Sequence, residues 1–132
     1  MNIRLGLDFI KKKQFSEALK IFLNLLNSNN KEIGIYYYLG LIYSELNDFT
    51  KSIFYYEKYL KLNPNSKNTL FNLAAVKQSL GELEDAKNIY LKLIKLDKTS
   101  IRSYLGLFLL NSKFLRNEHY KNIIKIEKKN KI

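Results

Sequence analysis

The stretch from Ile33 to Ser66, IGIYYYLGLIYSELNDFTKSIFYYEKYLKLNPNS, holds two apolar stripes in succession. Tyr36, Leu39, Gly40 and Tyr43 recur at i, i+3, i+4 and i+7, the spacing of one face of a helix. After a break at Asn47-Asp48, a second stripe runs through Phe49, Ser52, Ile53, Tyr56, Tyr59 and Leu60. It stops at Asn63-Pro64, because proline disfavours helix in the residue before it. The stretch therefore reads as two helices joined by a short turn.

The same pattern recurs along the chain at a fixed step. Leu5, Leu39, Leu73 and Leu107 fall 34 residues apart. So do Gly6, Gly40 and Ala74; Ala18, Ser52 and Ala86; Phe22, Tyr56 and Tyr90; and Phe15, Phe49 and Leu83. A period of this length marks a stacked array of supersecondary units. Paired helices are expected at roughly 2–12 and 15–28, 32–46 and 49–62, 66–80 and 83–96, and 100–112 and 116–129. The small residues sit midway along each first helix and early in each second helix, where they let two backbones approach closely. A single pair cannot bury its apolar face, so neighbouring units must stack into a continuous core. The expected architecture is all-α: a right-handed α-solenoid of about eight helices in stacked antiparallel pairs. Its 132 residues suit one domain, with repeats at about 1–32, 33–66 and 67–100 and a divergent fourth pair at about 101–132.

These residues resemble the tetratricopeptide repeat (TPR) family. The second unit carries most of the likeness, as Tyr36-x2-Leu39-Gly40-x2-Tyr43, then Ser52-x3-Tyr56, then Pro64. The first reads Leu5-Gly6-x2-Phe9 and Ala18-x3-Phe22, with Asn30 where proline is usual. The third reads Leu70-x2-Leu73-Ala74 and Ala86-x3-Tyr90, with Lys77 in place of the first-helix aromatic. The fourth keeps Tyr104 and Leu107 in phase but sets Phe108 and Tyr120 where two small residues should face each other. Either its last helix caps the array with a polar outer face, which Lys121, Lys125, Lys128 and Lys129 favour, or residues 101–110 are covered by a further domain or a second subunit.

The resemblance implies a non-catalytic scaffold that binds a peptide or protein segment in the concave groove formed by the first helices. Carried onto this sequence, the groove residues are Ile3, Arg4, Leu7, Tyr37, Tyr38, Leu41, Phe71, Asn72 and Ala75, with Arg102, Leu105 and Leu109 at the far end. Tyr37, Tyr38 and Phe71 are the expected anchors, since large aromatics dominate interface energetics. Asn72 offers a donor and an acceptor to a peptide backbone, and Arg102 a partner for a carboxylate. The same tyrosines also suit packing between units. The chaperone-tail clamp of some TPR domains does not fit, because Ile3, Leu7, Tyr38, Asn68 and Asn72 put no cation at its positions. The groove asparagines of TPR arrays on sugar-transferring enzymes are likewise missing apart from Asn72.

Composition narrows the remaining classes. Without cysteine and with His119 alone, the chain offers no thiolate or histidine metal cluster. No glycine-rich phosphate loop occurs, so neither cofactor nor metal is expected. Glu82, Glu84 and Asp85 fall where a helix begins and complement its dipole. His119 is expected at the surface. Charges at Asp8 and Lys11 interrupt any apolar leader, and no apolar run has the length of a membrane span, so a cytoplasmic setting is expected. The net charge of +11 is uneven: residues 1–66 carry nine basic and six acidic groups, and 67–132 fourteen and six. Codon drift explains an excess of lysine. The basic segment 113–132 also suits weak, non-specific binding of nucleic acid or other anions. Two further alternatives are a TPR portion or recruiter of a larger enzyme, such as a sugar-transferring one, and a homo-oligomer built through the divergent C-terminal repeat.

Overall fold

The computed structural model describes residues 2–29 and 32–130, and Asn30 lies outside the described residues. Within them the chain forms eight α-helices and one 3-10 turn, with no strand: α1 (Ile3–Lys11), α2 (Phe15–Asn27), α3 (Gly34–Glu45), α4 (Phe49–Leu62), α5 (Lys67–Ser79), α6 (Leu83–Leu96), α7 (Ile101–Leu110), the 3-10 turn (Ser112–Phe114) and α8 (Asn117–Asn130). Every expected helix is present within about two residues of its expected bounds. The chain divides into two compact units, Met1–Thr69 and Leu70–Ile132.

In the first unit, α1 packs on α2, α2 on α3 and α3 on α4. Ala18, Phe22, Leu39 and Ile42 are completely buried at its centre. The small residues do what their spacing demands. A Cβ on Gly6 would lie 2.5 Å from the Phe22 ring, and one on Gly40 would lie 2.5 Å from that of Tyr56. The first helix of each pair thus rests its bare backbone on the aromatic of the second. Ser52 occupies an alanine position, and its hydroxyl donates to the Gly40 carbonyl at 2.7 Å, so a polar atom is buried with a partner. In the second unit Tyr90 takes the same place, packed near Phe71 with ring centroids 6.5 Å apart. The bare backbone against it also comes from α7, at Gly106. Sequence spacing missed this glycine because it lies off the small-residue series.

The turns inside the pairs repeat as faithfully as the side chains. Lys13, Asn47 and Gly81 lie 34 residues apart, and all three adopt the left-handed conformation (φ 58°, 61° and 77°). After each, the N–H of Gln14, Asp48 and Glu82 donates five residues back, to the carbonyls of Phe9, Tyr43 and Lys77 at 2.8–2.9 Å. This is a Schellman cap, which satisfies carbonyls that the end of a helix leaves open. Outside the pairs, Ser66 pairs with Thr69 (2.8 Å) and Ser100 with Ser103 (3.0 Å) through their hydroxyls, again one period apart.

The fourth pair breaks this geometry. The residue one period after Gly81 is Leu115, whose φ is −78°. A branched side chain makes the left-handed conformation costly there, and the chain passes through the 3-10 turn instead. The Arg116 N–H then bonds Nδ1 of His119 at 2.9 Å rather than a carbonyl five residues back. His119 is 5% exposed, which corrects its expected surface position. Its ring lies 6.1 Å from that of Tyr104, whose hydroxyl donates to the Lys98 carbonyl at 2.8 Å. Helix α8 is therefore turned so that His119 packs inward, while Tyr120 and Ile124, at the positions of buried Ser52 and Tyr56, stay about half exposed. Its lysines do face solvent as a cap requires, yet the helix leaves Phe108 of α7 uncovered.

Candidate functional site

The first helices present the residues singled out from the sequence. In the first unit Arg4 is exposed, while Leu7, Tyr37, Tyr38 and Leu41 are half-buried. Tyr38 packs against Phe22 with ring centroids 5.3 Å apart. Tyr37 meets Tyr38 edge-on at 5.3 Å, and Tyr56 and Tyr59 at 6.1 and 5.8 Å. Ile3 and Leu7 pack against the same core. These side chains have two roles: their inner edges hold the helices together and their outer edges form an apolar, aromatic floor. Tyr59, on the second helix of its pair, completes the ring cluster; its sequence position marks it only as part of the second stripe.

In the second unit Phe71 and Asn72 are half-buried, and Ala75, Arg102, Leu105 and Leu109 are exposed. The Arg102 guanidinium carbon lies 4.0 Å from the Phe71 ring centroid, a cation–π contact. A guanidinium held over a ring can still donate N–H groups to a carboxylate, so the pair offers an aromatic and a cation together. The structure thus joins two predicted site residues that lie far apart in sequence into one amphipathic element.

Away from these faces the charged clusters serve the fold. Lys77 replaces an aromatic by reaching Glu82 at 2.7 Å and Asp85 at 3.2 Å across the turn into α6. Glu84 pairs with Lys87 at 2.8 Å. The acidic cluster therefore sits at a helix start and ties that start to α5. Among the described residues no group of three or more histidine, cysteine, aspartate or glutamate side chains is placed to hold a metal ion.

These contacts fix the response to alkali. Hydrogen bonding to Glu82 and then to Asp85, opposed by burial, raises the Lys77 pKa above its ordinary 10.5. Burial raises Tyr43, Tyr55, Tyr90 and Tyr104 above their ordinary 10.0. Groups raised in the fold stabilise it fully below their unfolded pKa values and lose that contribution as pH climbs through the folded ones. Stability is therefore expected to fall steadily from about pH 10 upward, with all five groups acting in one direction. The urea midpoint, followed by circular dichroism at stepped pH, measures this; a midpoint that rises or stays level above pH 10 would contradict it.

Comparison with known proteins bears on the family. Two profiles of the tetratricopeptide repeat match the chain, over residues 34–66 and 55–88. The uncharacterized protein ycf37 of Guillardia theta is 31% identical over 119 residues, covering 86% of this chain and 67% of that protein. The chain belongs to the tetratricopeptide-repeat family. The photosystem I assembly protein Ycf3 of Prochlorococcus marinus (strain NATL1A) is 37% identical to it over 70 residues, 51% of this chain and 40% of that one. MamA (41-end) of Desulfovibrio magneticus RS-1 matches with a TM-score of 0.82 over 98% of this chain and 75% of that chain, at 15% identity, a likeness of fold alone. The TPR fold and relatives make this chain a protein-interaction scaffold, an α-solenoid of stacked antiparallel pairs. No helix among its described residues is long and apolar enough to cross a membrane.

Proposed function

We propose that this TPR chain is a non-catalytic adaptor that seats a segment of a client protein on the concave faces of its first helices, and that the client is a subunit of photosystem I. The observation that carries the binding mode is the Arg102–Phe71 stack beside exposed Ala75 and Leu105, which offers an apolar floor and a cation to an extended segment. Tyr37, Tyr38, Leu7, Leu41 and Arg4 offer a corresponding surface in the first unit, and Asn72 and Leu109 extend that of the second. The client is suggested by the relative named for photosystem I assembly. The absence of catalysis is supported by the structural use of the candidate groups: Glu82 and Asp85 are held by Lys77, and Nδ1 of His119 by a backbone N–H. On this account the chain works in the cytoplasm.

The test is co-precipitation of detergent-solubilised photosystem I subunits with the tagged chain, alongside Ala75→Glu and Arg102→Glu. Both positions are exposed, so both variants should fold. One subunit should be retained at high salt and bound at least tenfold more weakly by either variant, a change of about 1.4 kcal/mol. Retention unaffected by both substitutions would move the site off the first helices. A discrete client from another complex, lost in the variants, would keep the binding mode and overturn the photosystem assignment.

A further inference from the structure

Helix α7 carries Ile101, Leu105, Phe108 and Leu109 at i, i+4, i+7 and i+8, and these residues are 46%, 52%, 47% and 66% exposed. Helix α8 adds Tyr120 and Ile124 at 45% and 49%. One period earlier, Ala74, Ala86 and Tyr90 stand where Phe108, Tyr120 and Ile124 do, and all three are buried. The fourth pair therefore leaves exposed three apolar positions that are buried one period earlier, where Tyr90 is met by Gly106 of α7. This pair has two bulky rings at the small-residue positions and a turn without a left-handed residue. On the same pair Ile101, Ile123, Ile126, Glu127 and Asn130 line a shallow cleft of about 480 Å³. Exposed apolar side chains gathered on two packed helices in this way mark an interaction site.

We propose that this open face of α7 and α8, anchored at Phe108, Tyr120 and Ile124, docks an acidic amphipathic helix of a partner protein; it adjoins the first-helix groove, with which it shares Leu105 and Leu109. The stripe spacing on α7 suits a helix laid in a groove, anchored by its own residues at i, i+3 or i+4, and i+7. The net charge of the segment that carries the face selects the sign of the partner. Lys113, Lys121, Lys125 and Lys128 are exposed cations on the 3-10 turn and α8, against Glu118 and Glu127 as the only acids of that segment. Complementary charge steers such a helix in and rejects basic ones. A second copy of the chain is a poor occupant by the same rule, since its matching half carries fourteen basic against six acidic groups and would be repelled.

The test is selection from a displayed library of short helical peptides with randomised charge, using the full chain as bait. Selected peptides should carry acids flanking an apolar stripe. Their affinity should fall at least about tenfold in Phe108→Asp and Ile124→Ser, and in Lys121→Glu/Lys125→Glu. Ala75→Glu, on the groove face, should leave it unchanged, and circular dichroism checks that each variant is folded. Neutral or basic peptides, no selected peptides, or affinities unmoved by the α7 and α8 substitutions would overturn the proposal. So would loss in Ala75→Glu with retention in Phe108→Asp, which places the peptide in the groove. A dimer in sedimentation that Phe108→Asp dissolves would make a second copy the occupant. An oligonucleotide that displaces the peptides, is released by salt and ignores Phe108→Asp would make nucleic acid the ligand.

Discussion

Tyr56→Ala should destabilise the protein by about 3–5 kcal/mol, the range for removing a fully buried ring. Tyr56 is 1% exposed. Its ring fills the place where α3 presents Gly40 and stands 6.1 Å from the ring of Tyr37. Alanine would leave a void between two backbones already too close for neighbouring side chains to reach into. Against a typical total of about 5–15 kcal/mol, that is a third or more of the stability. The shift in urea midpoint at unchanged slope measures the loss. Gly40→Leu combined with Tyr56→Ala should recover part of it, because a side chain on α3 would then occupy the space from the other side. A loss below about 1 kcal/mol would mean that α3 and α4 are not held by this ring. The substitution also removes a neighbour of Tyr37, so binding to the first-helix face should weaken even in the fraction that stays folded.

Gly106→Val is expected to cost about 2–3 kcal/mol, the upper part of the range for overpacking a filled core. The new Cβ would fall on the ring of Tyr90, which is 8% exposed and cannot retreat because Phe71 packs beside it. Helix propensity acts the other way, since glycine inside a helix is unfavourable by about 0.5–1 kcal/mol relative to alanine, but it offsets only part of the clash. Tyr90→Leu should relieve it: in a double-mutant cycle the pair should cost less than the two single changes together, with a coupling of about 1 kcal/mol or more. Simple additivity would show that α7 does not depend on the close approach at Gly106. Arg102 adds a second readout. It stacks on Phe71, so pushing Tyr90 against Phe71 should weaken client binding in proportion to the strain.

The helices and their pairing were legible because a stacked array solves one packing problem repeatedly, and Gly6 with Phe22 and Gly40 with Tyr56 are the same solution written 34 residues apart. The candidate face was legible only in part. Spacing placed Tyr37, Tyr38 and Phe71 on first helices, but it could not divide their surface between core and solvent, since an aromatic at a helix flank does both. The stack of Arg102 on Phe71 joins different helices and has no local signal. The fourth pair was legible as a departure, through Phe108 and Tyr120, and not as a geometry. Its orientation depends on a dihedral angle at Leu115 and on a hydrogen bond from Arg116 to a ring nitrogen of His119. Composition and periodicity carry neither.

Lys13, Asn47 and Gly81 have little in common as side chains, yet the backbone treats them alike. A row of identical units resembles a crystal in one dimension: each cell is set by the one before it, and nothing within a cell records how many have been laid down. Translational order in such a row must be broken by something other than the contacts that build it. Here the fault lies in a turn, at the one position of its series where a leucine declines the left-handed angle. It is in the pair with this turn that Phe108, Tyr120 and Ile124 stay exposed. The last left-handed turn of the series is thus at Gly81, and the exposed apolar residues of α7 and α8 come after it.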